Sequence, residues 1–214
     1  MNSMIKVARY HLAQPAMLLW VPWAPVAGTF AFSAIRQGAV SSGGLVILFV
    51  MFFVAGWQRA GRWLPLGLAL GATRRSFYAG TALLGVSIAL VDGLVIAGLQ
   101  SVERATGGWG LSITFFRVPE MLNGPWYDTW LTSFVGLSAL FAYGMWFGIV
   151  NRRWGVLGLI AFIAAQFLAG LVYALTGRPG NLTGLGALGL TGVAAALTVV
   201  FLAGGHATIR RAAV

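Results

Sequence analysis

The chain has 214 residues, 59% of them hydrophobic and 8% charged, with a mean hydropathy of +0.85. Soluble domains carry about 25% charged residues, so a soluble globular reading is excluded. The 14 Lys and Arg against 4 Asp and Glu leave a net charge of +10, but these charges stand singly or in pairs between apolar runs and form no nucleic-acid-binding face. With no Cys, disulfides, thiolate metal sites and a cysteine nucleophile are excluded as well.

A spanning helix needs about 20 mostly apolar residues to cross about 30 Å of hydrocarbon. Six segments qualify, at about 17–35, 43–57, 78–100, 130–150, 154–175 and 182–204. The expected fold is all-α: a single polytopic membrane domain over residues 1–214 with six transmembrane helices. Pro22 and Pro25 predict a bend in the first span, and because they interrupt the apolar run with no Ala-x-Ala site after it, the segment reads as a retained span.

Orientation follows from the basic residues of the connections, since short cytoplasmic loops are enriched in Lys and Arg. One side collects Lys6, Arg9, Arg59, Arg62, Arg74, Arg75, Arg152, Arg153, Arg210 and Arg211; the other has Arg36, Arg104, Arg117 and Arg178. Both termini are therefore expected in the cytoplasm.

Before the first span, Met4, Ile5, Ala8 and Leu12 share one helical face, which suits a short interfacial helix over residues 1–14 whose cations meet anionic lipid. A basic tail that only sets topology fits the same residues.

The connection from Gln58 to Phe77, QRAGRWLPLGLALGATRRSF, is far longer than a tight helical hairpin needs. Its leucines make an apolar stripe, Pro65 is acceptable in a first turn, and Arg74 and Arg75 suit a helix C-terminus. A short cytoplasmic helix lying across the second and third spans is expected here, either as a surface on which another protein pushes or as an anchor of topology.

Within this connection, LGLALGATRRSFYAG (residues 66–80) resembles the Leu-rich, Gly-x-Thr-Arg-Arg, aromatic, Gly pattern between the second and third spans of ABC-2-type permeases, the membrane subunits of bacterial ABC exporters. The motif covers about 15 residues, while the similarity in span number, interfacial N-terminus and basic C-terminus covers the chain. The resemblance implies a coupling helix that docks on an ATPase subunit through Leu68, Gly71, Ala72, Thr73, Arg74, Arg75 and Phe77. It further implies a second permease chain, as homodimer or heterodimer, residence in a bacterial inner membrane, and ATP and Mg carried by the partner ATPase rather than by this chain. One departure is the connection between the fifth and sixth spans, which is only residues 176–181 where many relatives have a larger outer element.

Residues 101–128, SVERATGGWGLSITFFRVPEMLNGPWYD, combine Gly and Pro with Trp109, Phe115, Phe116, Trp126 and Tyr127. They read either as an aromatic belt at the outer interface or as a gate.

Asp92 is the one acid inside an expected span, and a charge at the bilayer centre costs about 2.5–3.5 kcal/mol on insertion scales. At 1.5 Å per residue, Asp92, Gln166 and Thr191 lie about 12–14 Å below the outer ends of their helices. They are the candidate polar cluster of a translocation path if wet, or a pin between helices if dry. Gly144 and Gly148 form a Gly-x-x-x-Gly that suits packing within the chain or between chains.

No phosphate-binding loop, Gly-x-Ser-x-Gly or His-Glu-x-x-His occurs, so no enzymatic activity and no metal or cofactor site is expected in this chain. A permease subunit for an amphipathic or hydrophobic substrate is the leading expectation. A membrane scaffold or assembly protein, and the half-unit of a secondary transporter, are the alternatives.

Overall fold

The computed structural model describes residues 20–36, 43–69, 71–111, 113–117, 124–175 and 187–210. The expected interfacial helix at 1–14, the 176–181 connection, the first residues of the first and sixth spans and the C-terminal tail lie outside them. All regular structure among the described residues is helical: α1 (Trp23–Arg36), α2 (Gly43–Gln58), a π-helical turn (Arg59–Trp63), α3 (Leu64–Ala69), α4 (Arg74–Ala105), α5 (Trp126–Leu175) and α6 (Ala187–Arg210). Among the described residues, four stretches are long and apolar enough to cross a membrane: Gly44–Ala69, Arg74–Ala105, Trp126–Leu168 and Thr191–Ile209.

The prolines expected to bend the first span instead start its helix. Pro22 precedes α1 and Pro25 lies in its first turn, where the missing N–H has no intrahelical partner to lose. Polar side chains inside this helix are satisfied locally, with the Thr29 and Ser33 hydroxyls donating to the carbonyls of Pro25 and Thr29, each at 2.9 Å.

The 50-residue α5 is two helices. Gly155 interrupts it with φ 63° and ψ −159°, a backbone region essentially reserved for glycine. The chain folds back there, since Trp146 packs edge-on against Phe162 at 4.8 Å and the Tyr143 hydroxyl donates to Gln166 Oε1 at 2.9 Å. Each pair is symmetric about the break, the signature of an antiparallel helical hairpin. The expected fourth and fifth spans are these two arms, with Asn151, Arg152, Arg153 and Trp154 leading into the reversal.

The first arm of α5 is the centre of the bundle. It runs parallel to α2, where Gly136 approaches Phe49, Gly144 approaches Phe53 and Gly148 approaches Trp57 and Gly61. It runs antiparallel to α4, where Gly85 faces Phe141, Gly93 faces Trp130 and Phe134, and the Thr129 hydroxyl donates to Gln100 Oε1 at 2.7 Å. Its other neighbour is α6, reached through Thr132 to Thr191 at 2.8 Å and Trp146 Nε1 to Thr208 at 3.3 Å.

The α2–α5 crossing explains the Gly-x-x-x-Gly. A Cβ on Gly144 would overlap the Phe53 carbonyl, one on Gly56 the Phe141 carbonyl, and one on Gly148 would come within 2.6 Å of the Trp57 carbonyl. Lipid tails are as apolar as the helices, so close backbone packing of this kind drives association in a membrane. The motif serves contact within the chain.

Candidate functional site

At one end of the bundle, α3 turns into α4 within a few residues. The Ala72 N–H bonds the Gly67 carbonyl and the Gly71 N–H the Leu68 carbonyl, each at 3.0 Å, the paired bonds of a Schellman ending. Gly71 supplies its left-handed residue at φ 83°. Two residues later Thr73 caps α4, accepting from the Ser76 N–H at 3.2 Å while the Ser76 hydroxyl bonds back to the Thr73 carbonyl at 2.9 Å. The Gly-x-Thr motif is thus a helix stop and a helix start in immediate succession.

This joint differs from the helix expected across two spans. Helical backbone continues from α2 through the π turn into α3, with αR dihedrals at both Gln58 and Leu64, so α3 extends α2 rather than standing apart from it. Phe77 is buried against Gly67, and Leu68 and Ala72 pack on the core. Of the seven expected docking residues, Gly71, Thr73 and Arg75 are exposed and Arg74 is half-buried. Arg74 and Arg75 occupy the first turn of α4, not the end of a preceding helix. A cation at a helix N-terminus is opposed by the macrodipole, by about 0.3–1 kcal/mol. Helix stability therefore does not account for the pair.

The same end gathers Arg59, Arg62, Arg152 and Arg153. Arg152 donates to the Gly61 carbonyl at 3.3 Å and Arg153 to the Thr208 carbonyl at 3.5 Å, and the Tyr78 hydroxyl bonds the Leu202 carbonyl at 2.9 Å. The π turn with Arg59 and Arg62, the start of α4, the α5 hairpin and the end of α6 therefore form one basic end. Asp92 is 18 residues along α4 from Arg74, about 27 Å away, and Glu103 is farther still.

The expected intramembrane cluster is resolved into three separate bonds. Asp92 is buried and its Oδ1 accepts from Trp23 Nε1 at 3.1 Å, while Oδ2 has no partner among the described residues. Gln166 is exposed and is held by Tyr143. Thr191 is buried and shares its hydroxyl bond with Thr132. Asp92 ties α4 to α1, Gln166 ties the α5 arms, and Thr191 ties α5 to α6. Agreement in depth did not predict these partners, because it leaves helix rotation undefined.

At the opposite end, Glu103 is the residue that sequence reasoning passed over. It is 1% exposed, and its Oε2 accepts from Trp109 Nε1 at 3.2 Å, the Phe115 N–H at 3.1 Å and the Phe116 N–H at 2.8 Å. Its Oε1 accepts from the Arg117 N–H at 3.3 Å. One carboxylate thereby folds the segment after α4 back over the bundle. Phe115 and Phe116 are buried, with Phe30 at 5.3 and 6.3 Å and Trp109 edge-on to Phe30 at 5.2 Å. Phe115 also covers Gly44 at the start of α2. Trp109, Phe115 and Phe116 thus plug the protein, whereas Trp126 and Tyr127 are more than half exposed and keep the disposition of an interfacial belt. The available signal was an acid followed within seven residues by Gly-Gly-Trp-Gly, a turn-forming run that brings later N–H groups back towards a helix end.

No family model matches this chain, and no curated protein or solved structure matches it significantly.

Proposed function

We propose that this chain is the membrane subunit of an ATP-driven exporter of the ABC-2 type, crossing a bacterial inner membrane six times with both termini in the cytoplasm. The observation that carries the reading is the α3–α4 joint. A two-helix corner at the basic end carries Arg75 exposed and Arg74 half-buried in the first turn of α4, a position from which a docked partner could be met. The corner is continuous with α2 and α4, and α4 spans the bundle to Glu103 and the aromatic plug. Force on the start of α4 would therefore reach the opposite end along one continuous helix, as coupling between two states requires. ATP and Mg belong to separate ATPase subunits, and a second permease chain completes the pathway. In this reading the plug held by Glu103 is the outer gate.

Co-purification of a soluble ATPase encoded beside this chain tests the proposal. Arg74→Glu with Arg75→Glu is expected to abolish the association while the chain still folds and melts cooperatively, acids being favoured at a helix N-terminus. Undiminished binding and undiminished stimulation of ATP hydrolysis in the double variant refute the assignment of the corner. The separate bonding of Asp92, Gln166 and Thr191 favours a second reading, a membrane scaffold with a dry interior. In that case cysteines at these three positions resist aqueous reagents whether or not nucleotide is present.

A further inference from the structure

Between the π turn and the end of the first α5 arm lies a cavity of about 280 Å³. Its floor is Gly61 and Gly148, and its walls carry Trp57, Gln58, Arg62, Asn151 and Arg152. We propose that this cavity binds the phosphate of an anionic phospholipid.

The backbone makes the cavity possible. The two glycines face one another, with a Cβ on Gly148 meeting the Gly61 nitrogen at 3.0 Å, so the two backbones approach closely there and neither glycine projects a side chain into the cavity. The π turn Arg59–Trp63 offsets the residues that follow by inserting one residue into the helical repeat, and such insertions recur at functional sites. Arg152 is anchored across the gap by its bond to the Gly61 carbonyl, which fixes one guanidinium at the rim.

The chemistry is that of an anion site. Two guanidiniums and two carboxamides line the space, and no Asp or Glu does. Arg62 is exposed, and it, Gln58 and Asn151 donate to no other described residue, whereas Arg152 has one bond to a neutral carbonyl. Planar guanidinium forks match phosphate oxygens bidentately. The described acids are distant, at mid-α4 and at the opposite end of the bundle, so nothing among the described residues neutralises these cations.

Depth selects lipid as the source. Gly44 lies under the plug at one end and Gly61 in the cavity floor at the other. Their 17 residues of helix rise about 26 Å, close to the thickness of the hydrocarbon core. The cavity therefore sits at headgroup level on the basic side, where pockets between helices take phospholipid headgroups. Its volume admits a headgroup, with the acyl chains left outside along the bundle. Trp57, packed edge-on to Phe147 at 5.5 Å, supplies the apolar wall such chains require.

The test is native mass spectrometry of the full chain in detergent, titrated with phosphatidylglycerol or phosphatidylcholine. It requires no ATPase, so its outcome is independent of the exporter reading. Wild type is expected to prefer phosphatidylglycerol, Arg62→Ala to weaken that binding about tenfold, and Arg62→Ala with Arg152→Ala to abolish the preference. Arg62→Lys, which keeps the charge without the fork, is expected to fall between wild type and alanine. Arg62 makes no bond to another described residue, so its variants keep the wild-type melting curve even if the loss of Arg152 loosens the hairpin. Unchanged phosphatidylglycerol binding in Arg62→Ala overturns the proposal, and so does an equal loss in Arg75→Ala, which would mark a diffuse basic face. Displacement of phosphatidylglycerol by inorganic phosphate in large excess supports the anion site but overturns lipid as its occupant.

Discussion

Glu103 gives the sharpest quantitative expectation, because one side chain holds a segment that lacks regular structure. The Phe115 and Phe116 N–H groups are both buried and both end on Oε2. Glu103→Ala strands them, at about 1–3 kcal/mol per unsatisfied buried donor, so the plug should lose about 2–6 kcal/mol. Glu103→Gln is milder. Its carbonyl can take the place of Oε2, but its amide then faces the Arg117 N–H donor to donor, and the charge that strengthens all four bonds is gone, for a cost of about 1–3 kcal/mol. The natural absence of Cys permits a direct assay. Ile113 is 1% exposed beneath the plug, whereas Leu111 is 39% exposed beside it. A loss of about 2 kcal/mol raises the open population about thirtyfold. The maleimide labelling rate of Ile113→Cys should therefore rise by at least that factor in the Glu103→Ala background, and less in the Glu103→Gln background. Leu111→Cys should label quickly in all three. If Ile113→Cys stays as protected in Glu103→Ala as with Glu103 intact, the carboxylate does not hold the plug and the reasoning fails.

Three further outcomes follow from the packing. Gly144→Ala forces a methyl onto the Phe53 carbonyl, which as backbone cannot rotate away, so a loss of about 1–3 kcal/mol is expected in detergent melting; a change in oligomeric state with unaltered melting would instead place the glycine between chains. Gly155→Ala meets no atom within 4 Å but must adopt φ 63°, so it is expected to cost about 1–3 kcal/mol from the backbone alone. Gly28→Ala, with equally open space inside a helix, should by contrast gain about 0.5–1 kcal/mol, and equal effects of the two changes would remove the case for a strained hairpin turn. Trp23→Phe deprives Asp92 of its indole donor and is expected to cost about 1–3 kcal/mol, with Asp92→Leu in that background costing little more, because the two share one bond. Additive losses in melting experiments would mean that they act separately.

Composition and hydropathy were sufficient for the all-helical, membrane-suited class, since each helix must satisfy its own backbone in an apolar solvent and so announces itself by a local run of apolar residues. The grouping of arginines was also legible, because connections between antiparallel helices alternate between two ends. Gly71 and Thr73 were visible as residues, but not as the stop of one helix and the cap of the next. Arg74 and Arg75 were read as ending a helix, when Thr73, which caps the next one, makes them its first turn. Local pattern identifies a stop and a start, but their order depends on which segment remains helical before them.

What the sequence left open were the partners across the bundle. Asp92 meets Trp23 at a separation of 69 residues, Thr132 meets Thr191 at 59, and Gly144 meets Phe53. Such pairs depend on the rotation of each helix about its axis, and in a chain that is apolar on nearly every face there is little contrast between a polar and an apolar side to reveal that rotation. The glycines decided it instead, because the two backbones approach only where side chains are missing on both helices. Glu103 was hidden for a related reason. An acid in a polar-looking connection reads as solvated until the tertiary structure shows four N–H groups brought around it. Only the folded chain shows that this charge is buried and that the aromatic residues after it seal one end of the bundle.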